Sequence, residues 1–194
     1  MILEHICRLL AIRVAEQGFV SRCGALAREV EVRIGNAART LPGAALAPFK
    51  TDDPAHLAPD ARESAVTWFE AGPTRVVQNG ASMTVLQNEV RLMVWLNSKR
   101  IAGELVTAEM SLVSAIRHYS HRPDSSDPVR SLEIEYQGDI PGDAVRLLSR
   151  WDFNEAEYQL TMPPFRVACH RFLITYAVGN GLCYPVPLAK NAAC

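Results

Sequence analysis

The stretch "HYSH" places two imidazole side chains three residues apart, at His118 and His121, and Asp124 and Asp127 follow closely. On a helix, residues at this spacing can point at one cation, and a carboxylate could complete such a site. Two ligand-type residues fall short of the three or four that a metal site needs. The pair also lies beside arginines in a last helical turn, where positive charge favours the helix dipole and repels a cation. We therefore expect no metal site and no other cofactor.

A thiol and an imidazole are neighbours at Cys169 and His170, inside "FRVACHRFLITYAV". This run is rich in β-branched and aromatic residues, which predicts a strand. Adjacent strand residues point to opposite faces, so these two cannot act together as a thiolate and its base. The five cysteines form no C-x-x-C pair, and we expect reduced, buried thiols.

Two further patterns have structural explanations. Glu133 and Glu135 share one face of the alternating stretch "SLEIEYQ", as expected for a half-solvated strand. The segment "VGNGLC" contains a G-x-G, but no helix follows it to present amide groups to a phosphate. We therefore expect a turn there and no enzymatic site in either segment.

Length and composition indicate one globular domain over residues 1–194, because hydrophobic residues make up 48% of the chain and charged residues 21%. A net charge of −1 without a Lys/Arg run argues against nucleic acid as the main partner. Charged residues interrupt the apolar N-terminus too often for a signal peptide or a membrane span.

Hydrophobic periodicity predicts the regular elements. An N-terminal helix carries Leu3, Cys7, Leu10 and Val14 on one stripe, and "REVEVRI" alternates as a half-buried strand. A second helix is expected at about 103–120, a short helix within "PGDAVRLLSRW", and an irregular tail from about residue 179. Residues 35–60 contain four prolines and no sustained period, which predicts a long loop.

A long β-hairpin is predicted on either side of Asn79-Gly80, a dipeptide suited to a type I′ turn. Pro73 should introduce a break or bulge into its first strand. In the second strand, the residues from Val90 to Leu96 alternate as a core strand does. The turn-proximal half, 81–88, is mostly small or polar, so we expect the hairpin to project beyond its own core.

The order of elements predicts an α+β domain: a largely antiparallel sheet, two main helices packed on one face, and a long projecting β-hairpin. We expect a projecting hairpin to contact a neighbouring subunit. The expected interface residues are Asn79 and Gly80 at the turn, with Glu89, Arg91 and Trp95 on one face of the second strand.

This layout resembles that of small tailed-bacteriophage tail terminator and tail-completion proteins. The features that carry the resemblance are the N-terminal amphipathic helix ending "AEQGF", the long hairpin, the central helix and the final strand "FRVACHRFLITYAV". The resemblance implies a structural virion protein, assembled in the host cytoplasm, that catalyses nothing. Copies would form a ring, expected to be a hexamer, that caps the tail tube and joins it to the head-side connector proteins of the neck.

Two other classes of function stay open on the sequence. One is a cytosolic transferase or hydrolase with its site near the 35–60 loop, which offers Asp52, Asp53, His56 and two threonines. The other is a small adaptor or chaperone that binds one partner through the hairpin. A large solution mass would favour the ring, and a monomer with a deep polar pocket would favour an enzyme.

Overall fold

The computed structural model of the chain describes residues 2–34, 37–124 and 126–179. The helices in this part are α1 (Ile2–Ala15), α2 (Leu105–Arg117), α3 (Ala144–Leu147) and α4 (Glu155–Gln159). The strands are β1 (Arg22–Leu26), β2 (Arg28–Ile34), β3 (Ala37–Ala44), β4 (Ala55–His56), β5 (Ala65–Asn79), β6 (Met83–Asn97), β7 (Val129–Asp139) and β8 (Phe165–Gly179). None of the described helices has both the length and the apolar character of a membrane span.

Five strands form the main sheet in the order β1-β5-β6-β8-β7, and β2, β3 and β4 form a second, smaller sheet. All neighbouring pairs in the main sheet are antiparallel except β1 and β5, which run parallel. The predicted α+β fold with a largely antiparallel sheet is therefore confirmed.

Helices α1 and α2 cover one face of the main sheet. The four apolar residues of the predicted α1 stripe are all buried, as are Leu112 and Ile116 of α2. They pack on alternate residues of β6, from Val90 to Leu96, in one continuous core. Burying such side chains stabilises the fold by roughly 1.5–3 kcal/mol each, so this layer holds both helices to the sheet.

The opposite face of the main sheet carries a second core, which lies under the smaller sheet and the segment that contains α3 and α4. Trp68, Met93 and Trp95 point into it from the main sheet, and Leu41 of β3 and Trp151 after α3 cover them. The covered area ends at the inner half of the sheet, because the outer halves of β5 and β6 have exposed or half-buried residues on this side.

The β5–β6 hairpin is present, and the pairing register shifts between Ala71 and Thr74, around Pro73, as predicted. Strand β8 pairs with β6 along its whole length, from Asn97↔Phe165 to Met83↔Gly179. The part of the main sheet that extends past the end of β1 therefore contains at least three strands and is not an isolated two-stranded ribbon. We call this part the extension. This pairing gives the outer half of β6 a neighbour on both sides.

The turn differs from the sequence prediction. Asn79 still belongs to β5, and the Gly80 amide donates to the carbonyl of Met83 at 2.9 Å, so Ala81 and Ser82 form the reversal. Neither Asn79 nor Gly80 has a positive φ, which a type I′ turn at these residues would require. The predicted type I′ turn is wrong because the hairpin closes two residues later.

The interpretation of residues 35–60 as one long loop is also wrong. Within it, β3 pairs with β2 from Arg28↔Gly43 to Ile34↔Ala37, and β4 pairs with the end of β3. Leu41 and Leu57 anchor this region in the second core at 2% and 0% exposure. The expected irregular tail from about residue 179 lies almost wholly outside the described residues.

Candidate assembly surface

Among the described residues, the outer half of β5 is a free strand edge. Strand β1 pairs with β5 only between Arg22↔Val66 and Leu26↔Phe69. From Thr74 to Asn79, no strand in the described part of the chain lies on the outer side of β5. Val76 and Val77 on this segment are 63% and 57% exposed. An uncovered edge of this kind offers backbone N–H and C=O groups to an added strand.

The two edges of the extended sheet differ in charge. Folded proteins usually protect a free edge with charged side chains, prolines or bulges. On β5, Pro73 and its bulge stand before the free segment, and the segment itself carries one charge, Arg75, and a second register shift between Val76 and Gln78. On β7, the other edge, Glu133, Glu135 and Asp139 are exposed. The β5 edge therefore carries one positive charge beside two exposed valines, whereas the β7 edge, which also carries Arg130, is net acidic.

An open sheet face adjoins the β5 edge. Arg75, Gln87, Glu89 and Arg91 line a cleft of about 290 Å³ there, with Leu173 of β8. Arg91 Nε donates to Glu89 Oε1 at 3.1 Å. The face is thus mixed in character, with charged groups around half-buried apolar side chains, as in the rim of many protein interfaces.

Asn79 and Gly80 lie at the far end of this extension. Thr84 Oγ1 donates to Asn79 Oδ1 at 3.0 Å, which ties the two strands together at the tip. Thr84 and Arg91 are seven positions apart on β6, or about 23 Å of strand. The tip pair and the Glu89–Arg91 pair therefore belong to the same exposed extension but to opposite ends of it.

Trp95 does not belong to this surface. It is 1% exposed, stacks on Phe165 with ring centroids 5.3 Å apart, and donates from Nε1 to the Leu160 carbonyl at 2.6 Å. The expectation that Trp95 contacts a neighbouring subunit is wrong, because the segment from Leu148 to Phe165 covers its side of β6. The same alternation that puts Arg91 on an open face puts Trp95 in the second core.

The polar start of β6 is held by hydrogen bonds within the chain. Asn88 is 1% exposed, and its side chain donates to Thr74 Oγ1 at 3.0 Å and to the Gly72 carbonyl at 3.3 Å. Tyr176 Oη donates to Asn88 Oδ1 at 3.0 Å. Buried polar groups need such partners, and these link β5, β6 and β8 beneath the helices. The buried polar side chain of Asn88 is therefore satisfied within one subunit.

The candidate metal ligands do not converge. His118 Nδ1 lies 3.0 Å from the Ser114 carbonyl oxygen, whereas His121 Nε2 lies 3.1 Å from the carbonyl oxygen of Val129 and 3.4 Å from Asp127 Oδ2. Among the described residues, no three His, Cys, Asp or Glu side chains are arranged to hold a metal ion.

Cys169 and His170 point to opposite faces of β8, as predicted. The Cys169 thiol is buried in the second core, and burial raises its pKa to about 12, so at neutral pH it is not a nucleophilic thiolate. His170 lies under α2 on the other face, where its Nε2 is 3.0 Å from Glu109 Oε1.

A buried polar cluster around Glu109 was not predicted. Glu109 is 5% exposed, and Arg166 and His170 of β8 both reach its carboxylate. Tyr136 Oη lies 3.1 Å from His170 Nδ1 on the far side of the ring. Burial acts to raise the pKa of Glu109, but its hydrogen bonds to His170 and Arg166 outweigh burial and hold the pKa below its ordinary value. The cluster fixes α2 on the sheet.

The sequence does contain a signal for this cluster. Glu109 falls four residues after Leu105 and three before Leu112, inside the apolar stripe of α2. A carboxylate at a core-facing position must be paired, because burying it alone is very unfavourable.

The possible enzymatic residues of the 35–60 region are dispersed. Asp52 forms an ion pair with Arg8 Nη1 of α1 at 2.7 Å. His56 lies on β4, exposed, and its carbonyl accepts from Arg22 Nη1 at 2.7 Å. Asp53 and Thr51 line a different, shallow cleft beside Pro48.

The chain matches no family model, no curated protein and no solved structure.

Proposed function

We propose that this chain is a structural assembly subunit that forms a closed ring with copies of itself. The outer edge of β5 carries the proposal, because Thr74–Asn79 exposes two valines beside backbone groups that no described strand pairs with. A solitary chain with such an edge is prone to edge-to-edge association. Pairing with a defined strand of a neighbouring subunit would cover the two valines and the backbone groups of this edge.

The order of helices and strands supports a specific role for this ring. Of the ring-forming proteins, the tail terminator or head-to-tail connector of a tailed bacteriophage has the layout that this chain resembles. In that role the ring, a hexamer, caps the tail tube in the virion and binds the head-side connector. The protein would act through its contacts and not through catalysis. Each subunit would bind the next through two different surfaces, and rotation about a common axis would close the ring.

Neither of the other classes has a comparable observation in its favour. The acidic and histidine side chains near residues 51–56 lie in separate surroundings, so they do not present a nucleophile, a base and a binding cleft together. An adaptor that binds one partner would use the same hairpin edge, and it is distinguished from a ring by its mass in isolation.

Two matched lysine substitutions test the assembly proposal. Val77→Lys places a charge on the β5 edge, and Val145→Lys places one at an equally exposed valine of α3, away from the hairpin, the two side chains being 57% and 54% exposed. Lysine at an exposed edge opposes strand addition with little effect on folding.

We expect the wild-type chain and Val145→Lys to sediment as the same large species and Val77→Lys to sediment as a folded monomer. Electron micrographs of the large species should show closed rings with a central channel. A monomeric wild-type chain, or a Val77→Lys assembly as stable as the wild type, would contradict the proposal.

A further inference from the structure

We propose that the strand added to the free edge of β5 is β7 of a neighbouring copy, in a register that sets Arg75 opposite Glu133 of the neighbour. The inference rests on the proposed function, since it identifies the contact through which the ring would close. It is carried by the direction of the strands, by the position of the two edges in one sheet, and by the charges that the edges carry.

The strand directions permit this pairing. Successive strands from β5 through β6 and β8 to β7 are all antiparallel, so β7 runs opposite to β5. Rotation about an axis along the strands preserves these directions. In such a ring, β7 of the next copy lies antiparallel to β5, and the main sheets continue from one subunit to the next.

Arg75 on the β5 edge and Glu133 on the β7 edge lie at the same level along the strands of the main sheet. Pairing runs from Arg75 to Gln87, from Gln87 to Thr175, and from Thr175 to Glu133. The Gln87 side chain donates to Thr175 Oγ1 at 3.2 Å, which places these residues on the same face. Arg75 and Glu133 thus stand at the two ends of a single row that crosses the sheet.

Among the described residues, neither the Arg75 nor the Glu133 side chain has a direct ion-pair or hydrogen-bond partner, although Arg75 shares a cleft with Glu89 and Glu133 shares one with Arg117. Both residues are exposed. If two subunits pair without an offset along the strands, Arg75 of one lies directly opposite Glu133 of the other. A cross-strand ion pair of this kind is stabilising.

The next row supplies an apolar contact on the other face. Val76 pairs with Leu86, Leu86 with Tyr176, and Tyr176 with Leu132. Val76 is 63% exposed at one edge, and Leu132 is half-buried at the other. The same register therefore sets Val76 beside Leu132 of the neighbour. One alignment satisfies a charge pair on one face and an apolar pair on the other.

A charge-swap experiment tests the register. Arg75→Glu and Glu133→Arg each replace the attraction by a repulsion, and each should raise the concentration at which the assembly half dissociates by roughly threefold or more. The double variant restores opposite charges and should return to the wild-type value. Glu135→Arg is the matched control. The row of paired residues that contains Glu135 ends at the Gly72–Pro73 bulge of β5 and not at Arg75. Adding Glu135→Arg to Arg75→Glu should therefore not restore assembly.

A disulfide test gives an independent measurement. In the variant carrying Val76→Cys and Leu132→Cys, three strand spacings separate the two residues within one chain, about 14 Å, which is too far for a disulfide. Oxidation should therefore yield covalent multimers whose linked peptides contain residues 76 and 132, and the variants that carry only one of the two substitutions should not yield this linkage.

The possible outcomes separate the two proposals. A wild-type chain that is monomeric at all concentrations would overturn the ring and this contact together. A wild-type ring that is indifferent to both charge reversals, or a double variant that stays as weak as the single variants, would overturn only the β5–β7 pairing. Linked peptides that join residue 76 to itself would show instead a two-fold pairing of β5 with β5.

Discussion

Trp95→Ala distinguishes a core residue from an interface residue. The substitution removes a side chain that is 1% exposed, together with its stacking on Phe165 and its hydrogen bond to the Leu160 carbonyl. Truncating a buried tryptophan costs about 3–5 kcal/mol, and the orphaned carbonyl and the lost ring contact place this site in the upper half of that range. Against a typical total stability of 5–15 kcal/mol, we expect a loss of about 4 kcal/mol in the free energy of unfolding.

Urea unfolding followed by far-UV circular dichroism measures this loss, with Trp95→Phe as the control. Phenylalanine retains an aromatic ring beside Phe165 but cannot donate to Leu160, so it should lose about 1–3 kcal/mol. At temperatures where Trp95→Ala remains folded, its oligomeric mass should equal that of the wild type. A loss below 1 kcal/mol combined with a dissociated assembly would refute the placement of Trp95 in the core.

Three further predictions concern the interior. Gly43→Ala should lower the free energy of unfolding by about 1–3 kcal/mol, because an added Cβ would lie 2.2 Å from Val30 Cγ2; urea unfolding checks it, and an unchanged stability would contradict the β2–β3 register. Glu109→Gln should make the free energy of unfolding less dependent on pH in acid. Because the pKa of Glu109 is lowered in the folded state, its contribution to stability is complete above its ordinary pKa, near 4.5, and is lost as the pH falls through the lower folded-state value. Acid titrations of the two proteins with the same slope below pH 5 would count against the buried pair with His170. The Cys169 thiol should resist alkylation at pH 8 until the chain unfolds, since burial raises its pKa to about 12; rapid labelling of the native protein, mapped by mass spectrometry, would show that this core is open.

The strands with strong alternation could be predicted from the sequence. "REVEVRI" forms β2, and the alternation from Val90 to Leu96 assigns the two faces of β6 correctly. Pro73 marked the bulge, because proline has no N–H to give to the ladder. Local pattern was sufficient wherever large apolar residues repeat at the period of the element.

Strand β3 could not be found in this way. Its sequence, "AARTLPGA", has one large apolar residue, Leu41, and it contains a proline and a glycine. The strand exists because β2 provides a long partner and because Gly43 permits the close approach of Val30. Both reasons depend on residues of the preceding strand and not on those of β3 itself, so the periodicity of the β3 segment does not report them.

The composition of the candidate surface depends in the same way on topology. Alternation placed Glu89, Arg91 and Trp95 on one face of β6, but it could not show that α3, α4 and the turns around them cover only Trp95. The row that joins Arg75 to Glu133 requires the strand order β5-β6-β8-β7, which the order of elements along the chain does not determine.

The molar mass of the wild-type chain by light scattering, over a wide range of concentrations, tests the ring proposal most directly. A closed ring predicts one species with a mass that is a whole multiple of 21.4 kDa, about sixfold for a hexamer, and that persists on dilution until it dissociates. A mass of 21.4 kDa at every concentration would contradict self-assembly through the β5 edge.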